Sequence, residues 1–236
     1  MQITEQKAAY RIYLFLAALF ITSLVVSNLI FQKFFYWKPF GDAHLFGASL
    51  FELSVGILPY PVTFLITDLI SEVYGRKKAN QVVTAGIFAS FFSMGIVLLA
   101  HLAPAIADSP VDDATFGRVF ALSPIAVLAS MLAYLFAQYI DIAIYHFWKA
   151  FTQGRHLWLR NNFSTFFSQT VDTFTVVFLL CVFGVLPWDK FYGLFVAGVI
   201  FKIMIALLDT PFLYLFVYIF RRRFGLKPAE ELALEF

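Results

Sequence analysis

The sequence predicts an all-α membrane protein in which six helices cross the bilayer, and its composition supports this directly. Hydrophobic residues make up 61% of the 236 residues, whereas only 14% are charged, and the mean hydropathy is +0.81. Soluble domains lie closer to half apolar and a quarter charged. Phenylalanine occurs 31 times, so a large part of the surface is expected to face lipid.

The composition also argues against several classes of protein. A formal charge of +2 is too small to indicate nucleic-acid binding. The single cysteine, Cys181, excludes an intrachain disulfide and makes a cysteine metal cluster improbable. The histidines share no metal-ligand spacing, so we predict neither a metal nor a cofactor; they are His44, His101, His146 and His156.

The apolar runs are long enough to define spans. A bilayer core about 30 Å thick requires about 20 apolar residues per helix. We predict one transmembrane domain, 1–236, with spans at about 11–31, 48–74, 80–102, 119–148, 163–187 and 191–220.

The second predicted span is too long for one straight helix and contains Gly56, Pro59 and Pro61. We expect a break there, with a short entry piece followed by the helix that carries Asp68. Broken helices often lie beside transporter sites, because their freed backbone groups need a polar cavity.

Basic residues indicate the orientation. They concentrate in the predicted loops 71–80 and 149–162 and in Arg221–Arg223 after the last span, whereas the predicted loop 103–118 is acidic. Loops rich in Lys and Arg usually stay in the cytoplasm. The pattern therefore places both termini on the cytoplasmic side.

Polar side chains recur within these apolar spans. An ionisable group there costs at least a few kcal/mol unless it is paired or faces water. Asp68 and Glu72 are four residues apart and so lie on one side of a helix. The other stripes are Asn28 with Gln32, Gln138 with Asp141, Ser164 with Ser168 and Asp172, and Lys202 with Asp209. Five spans thus offer polar faces, and one shared, partly hydrated cavity is the economical arrangement.

Structural explanations compete with a binding role for some of these residues. Serine and threonine in membrane helices often bond to their own backbone. Glu72 can lie at the membrane interface, where the free-energy cost of a charged carboxylate is small. Lys202 can serve only as an ion-pair partner of Asp172 or Asp209. We interpret Arg76, Lys77, Lys78 and Arg221–Arg223 mainly as topology signals.

Several carboxylates, several amides and one lysine suggest a ligand with many hydrogen-bond donors and some acceptors. A guanine-like base fits, because a carboxylate accepts two adjacent N–H bonds while amides and lysine donate to the carbonyl and ring nitrogens. These residues alone indicate a transporter or channel for a polar organic solute, without naming the base.

Several segments resemble the queuosine precursor transporter family, which belongs to the vitamin-uptake-type carriers. The two main signatures are YPVTFLITDLISEVYG at 60–75 and LRNNFSTFFSQTVDTFTVVF at 159–178. Supporting matches are VSNLIFQ at 26–32, AYLFAQYID at 133–141 and FKIMIALLDTPFLY at 201–214. The block at 159–178 is the most specific of the five.

The resemblance implies a bacterial inner-membrane importer with six transmembrane helices. Its cargo would be a 7-deazaguanine, such as 7-cyano-7-deazaguanine or its aminomethyl relative, salvaged for the tRNA base queuosine. The implied substrate-binding positions are Asn28, Asp68, Glu72, Gln138, Asp141, Arg160, Asn161, Asn162, Ser164, Ser168, Gln169, Asp172 and Lys202. Asp209 joins them on the helical-face argument alone.

Other functional classes receive less support. An intramembrane aspartic protease would require a Gly-x-Gly-Asp pattern, which the sequence lacks, so we predict no enzyme. A channel would need a filter or an oligomeric pore. A substrate-binding subunit working with an ATP-driven partner remains open, as does a homo-oligomer, and the sequence contains no nucleotide-binding motif of its own.

Overall fold

The computed structural model describes residues 3–31, 33–36, 44–45, 48–49, 52–120, 124–153, 155–184, 186–227 and 230–232. This part of the chain is predominantly helical, as predicted. Its α-helices are α1 (Ile3–Ile30), α2 (Tyr60–Val73), α3 (Gly75–Leu102), α4 (Asp113–Phe120), α5 (Pro124–Phe151), α6 (Leu157–Val182) and α7 (Phe191–Phe224).

Five stretches of the described chain are long and apolar enough to cross a membrane: Glu5–Ile30, Val55–Val73, Gly75–Leu102, Leu157–Val182 and Trp188–Phe224. Large apolar side chains point outward from them; Phe15 is 74% exposed and Phe88 73%. With 28 residues, α5 also exceeds the length that a span requires. The chain is thus a polytopic membrane protein, and the count of six spans stays a prediction.

The region before α2 contains short strands that the all-α prediction did not include. Strand β1 (Phe34–Tyr36) pairs antiparallel with β4 (Glu52–Ser54), and β2 (His44–Leu45) pairs with β3 (Ala48–Ser49). A 3-10 turn follows β4, and α2 begins only at Tyr60. Pro59 and Pro61 sit at this start, where a missing backbone N–H costs nothing.

The predicted loop at 71–80 is wrong, because two helices meet there almost without a linker. Helix α2 ends at Val73 and α3 begins at Gly75, so Arg76, Lys77 and Lys78 lie in the first turns of α3. Gly75 has a φ of +82°. Such a left-handed conformation is accessible to glycine at little cost and closes the tight turn.

The predicted loop at 149–162 is also shorter than expected. Helix α5 continues to Phe151 and α6 begins at Leu157, ahead of the predicted span start at 163. Arg160 therefore lies inside α6 and is fully buried. The predicted outer loop 103–118 contains most of α4, whose N-terminus is capped by Asp112. Its Oδ1 accepts a hydrogen bond from Thr115 N (2.6 Å), and backbone N–H groups lower the pKa of Asp112.

Helix α2 occupies the centre of the bundle. It packs against α1, α3, α5 and α7, while α6 packs between α5 and α7. Every residue of α2 from Ile66 to Val73 is buried. The carboxyl groups that α2 carries are therefore surrounded by other helices and kept away from lipid.

Close approach of α1 and α3 depends on Gly86. A Cβ at this position would lie 2.8 Å from Phe20 Cε1 and 3.1 Å from Leu24 Cδ2, both in the buried core. We expect Gly86→Ala to lower the free energy of unfolding by about 1–3 kcal/mol, because the packed core must move. Thermal unfolding of the purified protein in detergent measures this.

Gly95 in the same helix provides the matched control. No described atom lies within 4 Å of a Cβ built there. Gly95→Ala should be neutral or stabilising, by up to about 1 kcal/mol, because alanine favours helix. Equal melting temperatures for the two variants would contradict the packing argument.

Candidate functional site

One face of α6 organises the polar interior of the bundle. Arg160, Ser164, Ser168 and Asp172 follow one another at four-residue spacing, and each is at most 1% exposed. Successive members lie about 6 Å apart along the helix. The predicted stripe is therefore extended by one turn at its start, and it meets partners from α2, α5 and α7 at three levels.

The first level is an ion cluster around Glu72. Glu72 Oε1 accepts hydrogen bonds from Arg160 Nη2 (2.7 Å) and Arg221 Nη2 (2.6 Å), and Oε2 accepts one from Tyr145 OH (3.0 Å). Lys149 Nζ lies 3.8 Å from Oε2. We call these five residues the clamp. It joins α2, α5, α6 and α7 at the end of the bundle that carries most of the basic residues, here the basic end.

The clamp is satisfied internally. Both carboxylate oxygens of Glu72 already hold donors, and Glu72 is 2% exposed. Removing one partner of a buried ion pair leaves an uncompensated charge and costs several kcal/mol. Glu72 therefore cannot bind another molecule without breaking contacts that connect four helices.

The second level, here the acidic layer, contains Asp68, Asp141, Ser164 and Ser168. Ser168 Oγ donates to Asp141 Oδ1 at 2.9 Å, and Ser164 lies beside the same carboxyl group. The side chains of Asp68 and Asp141 are direct neighbours. The spacing of residues on α2, α5 and α6 thus brings three of the predicted stripes together.

Among the described residues, no lysine, arginine or histidine nitrogen lies within 4 Å of Asp68 or Asp141. Arg160 acts on Asp68 electrostatically but is bonded to Glu72. Two neighbouring buried carboxylates repel each other unless a proton, a cation or N–H donors intervene. The acidic layer is therefore stable with a proton shared between the two carboxyl groups or with N–H donors from a ligand.

The third level, here the lysine layer, contains Tyr60, Tyr134, Asp172 and Lys202. Lys202 Nζ donates to Asp172 Oδ2 at 2.5 Å and lies 4.9 Å from the centre of the Tyr60 ring. The Tyr60 ring packs edge-on against Tyr134, with centroids 5.8 Å apart. Of the two expected partners of Lys202, the structure pairs it with Asp172.

Several buried acceptor atoms around the second and third levels receive no hydrogen bond from the described residues. They are Gln138 Oε1, Asp141 Oδ2, Gln169 Oε1 and Asp172 Oδ1. Asp209 Oδ2 on α7 is in the same condition. Buried polar atoms in native proteins are nearly always paired. This set of acceptors can pair with a donor-rich ligand.

The predicted residues Asn161 and Asn162 join α6 to α7. Asn161 Nδ2 donates to Thr210 Oγ1 at 3.4 Å, and Asn162 Nδ2 donates to the same oxygen at 3.1 Å. Asp209 precedes Thr210 and acts electrostatically on Asp68. These contacts hold the two helices together beside the acidic layer.

Asn28 lies apart from the three levels. Its Nδ2 donates to Ser90 Oγ on α3 at 3.3 Å, and it lines a small, partly open cavity of about 40 Å³ between α1, α3, α4 and α5. Its expected partner Gln32 lies outside the described residues. The structure therefore does not bring Asn28 to the other predicted residues.

Sequence reasoning missed several members of these levels. Tyr145 and Lys149 follow Asp141 at four-residue spacing on α5, a signal that was available. Tyr134 likewise precedes Gln138 by four residues, and Gln138 Nε2 donates to its hydroxyl at 2.8 Å. Arg221 was interpreted as a topology signal, and its pairing with Glu72, 149 residues earlier, has no local signature.

The Asp172–Lys202 pair permits a double-mutant test. Asp172→Asn and Lys202→Met should each lower the free energy of unfolding by about 3–5 kcal/mol, because each leaves a buried charge unpaired. The double variant should lose less than the sum of the two. Melting of the three proteins in detergent, with exposed Lys190→Met as control, measures the coupling; additive losses would argue against the ion pair.

Comparison with known proteins identifies the family of this chain. The family model described as "Putative vitamin uptake transporter" matches residues 54–216, a range that includes the acidic and lysine layers. A "Probable queuosine precursor transporter" from Bacillus subtilis (strain 168) is 31% identical over 172 residues, covering 72% of each chain. No solved structure matches this chain.

Together these findings confirm that the sequence motifs resemble the queuosine precursor transporter family. They also support the prediction that the chain is a multi-pass protein of the bacterial inner membrane. The chain belongs to the vitamin uptake transporter family, of the queuosine precursor transporter type.

Proposed function

We propose that this chain imports a 7-deazaguanine, such as 7-cyano-7-deazaguanine, for salvage into the modified tRNA base queuosine. The observation that carries the proposal is the set of buried acceptor atoms on α5 and α6 that accept no hydrogen bond from the described residues. A guanine-like base offers a ring N–H and an amino group side by side, and carboxylates bind such an edge in a fork.

In this proposal, Asp68 of the acidic layer accepts the amidine-like edge of the base. Gln169 and Asp172 bond its remaining polar atoms from α6. The acidic and lysine layers are one helical turn, about 6 Å, apart along α6, a distance that one fused bicyclic base can bridge. The rings of Tyr60 and Tyr134 lie in the lysine layer and are suited to stacking on the base.

The lysine layer supplies a donor without adding net charge. Lys202 holds Asp172 through Oδ2, while Oδ1 remains available as an acceptor. Lys202 has further N–H bonds to offer to the carbonyl oxygen of a base. A neutral base with mixed donors and acceptors therefore suits this level.

Five of the remaining predicted site residues have supporting roles in the proposal. The clamp of Glu72 and Arg160 closes the substrate site at the basic end. Asn161 and Asn162 position α6 against α7, and Asp209 adds an acceptor beside Asp68. Asn28 stays a prediction, since its contacts lie with α3.

We also propose six spans with both termini in the cytoplasm. The basic end carries Arg76–Lys78, Lys149, Arg155 and Arg221–Arg223, and such clusters usually remain on the cytoplasmic side. Import then proceeds from the lysine layer toward the clamp. A homo-oligomer and an energy-coupling partner are both compatible with this arrangement.

Ligand-induced thermal stabilisation of the purified protein tests the proposed substrate. We expect a 7-deazaguanine to stabilise the protein selectively, by about 2.7 kcal/mol at a concentration one hundred times its Kd. Guanine and a panel of vitamins serve as comparison ligands. Asp68→Asn and Asp172→Asn should each remove most of the shift, because a charged acceptor becomes a neutral amide.

Asp108→Asn, in an exposed loop, is the matched control and should retain the shift. Uptake of the same ligand into proteoliposomes must fall with the loss of binding. Stabilisation by a vitamin and by no deazaguanine would retain the family and overturn the substrate. Normal uptake by Asp68→Asn would overturn the role given to Asp68.

A further inference from the structure

The segment that follows α7 returns to the bundle and docks against the clamp. Leu232 is 5% exposed, and its backbone N–H donates to Val73 O at 2.7 Å. Glu231 Oε1 accepts from Lys149 Nζ at 2.8 Å. Glu231 and Leu232 thus contact α5 and α2 at the basic end.

This docking completes the C-terminus of α2. The last four carbonyls of a helix have no partner within the helix. Ile70 O accepts from Tyr74 N at 2.8 Å, and Val73 O accepts from Leu232 N. The carbonyls of Ser71 and Glu72 accept from Lys149 Nζ at 3.4 and 3.1 Å. Two groups outside the helix, Lys149 and Leu232, therefore satisfy three of these carbonyls.

Lys149 is the member of the clamp to which the segment binds directly. The same ammonium group that binds Glu231 also holds two carbonyls of α2 and lies 3.8 Å from Glu72 Oε2. A cation at the C-terminus of a helix is further stabilised by the helix dipole. We therefore expect that loss of the Glu231 contact weakens the hydrogen bonds by which Lys149 holds the last turn of α2, the turn that carries Glu72.

The α2–α3 turn is shaped to admit the segment. A Cβ at Gly75 would lie 2.1 Å from Glu231 Oε2, so any other residue there would push the Glu231 carboxylate out of its docked position. The same turn brings Val73 O to the surface that Leu232 covers. Gly75 thus serves both the tight turn and the approach of the segment.

The contacts are few and reversible. The Glu231 side chain remains 43% exposed, so its bond to Lys149 can break without leaving a carboxylate buried. One backbone hydrogen bond and one leucine side chain make up the rest of the described attachment. By contrast, opening the clamp separates Glu72 from Arg160, and both of these charges are almost fully buried.

We propose that residues 230–232 act as a latch that keeps the basic end closed, with Lys149 as the positioning residue that transmits its hold to the clamp. Release of the latch precedes separation of Glu72 from Arg160 and Arg221. The inference rests on the proposed transport function only in assigning this opening to substrate release. The physical claim is that the latch sets how often the basic end opens.

Cysteine accessibility measures that opening without any substrate. Ser71→Cys places a thiol one residue before Glu72, where Ser71 is 1% exposed. Cys181→Ser removes the one native cysteine. The protein is held in lipid nanodiscs, so both faces meet a membrane-impermeant maleimide, and the labelling rate is followed well below the melting temperature.

Glu231→Gln and Leu232→Ala should each raise the labelling rate about tenfold, the effect of losing roughly one charge-assisted hydrogen bond or its equivalent in apolar burial. Glu230→Gln is the matched control, since Glu230 Oε2 accepts only from Lys227 N in the contacts described and lies in the same segment. It should label at the rate of the parent.

Equal labelling rates in all four proteins would overturn the latch. A lower melting temperature of Glu231→Gln or Leu232→Ala with unchanged labelling would also overturn it, because the segment would then be only packed chain. Uptake of a deazaguanine into proteoliposomes is measured separately. Faster labelling without any uptake would sustain the latch and reject the proposed function.

Discussion

A charge that is buried inside a membrane bundle needs a partner on another helix, and this requirement shapes the whole interior. Glu72 is the clearest case, because its two oxygens are bonded by residues of three other helices. A bare carboxylate at this depth would cost at least a few kcal/mol. The positions of α2, α5, α6 and α7 at the basic end are therefore fixed together, and shifting one of them exposes charge on the others.

The same requirement distinguishes the start of α6, where charges are paired within the bundle, from the later turns, where we propose that a ligand binds. At the clamp, donors and acceptors are matched, so those residues stabilise the bundle. Further along α6, around Ser168 and Asp172, several buried oxygen atoms receive no hydrogen bond from the described residues. Hydrogen-bond acceptors therefore outnumber the available donors there. Polar atoms left over inside a well-packed fold indicate where a ligand contributes the missing half. The proposed site is thus inferred from this imbalance, more than from the identity of any single residue.

The local spacing of polar residues predicted much of this interior, whereas the contacts between distant segments could not be predicted. The four-residue steps of Asp68 with Glu72 and of Ser164 with Ser168 and Asp172 identified the polar faces correctly, since helical geometry alone determines them. The contacts of Glu72 with Arg221 and of Lys149 with Glu231 join distant segments. No local sequence pattern around these residues predicts the pairing. The loop predicted at 71–80 failed because charged residues were interpreted as a linker, although Gly75 permits two helices to meet directly.

Opening the basic end has a particular energetic character. Glu72 Oε1 is shared by Arg160 and Arg221, so parting one arginine leaves the other with the full attraction of the carboxylate. Arg221 is 28% exposed whereas Arg160 is fully buried, so the opening proposed for the clamp parts Arg221 from Glu72 more easily than it parts Arg160. An exposed, weakly held segment beside it can then bias the opening, although it never touches the site itself.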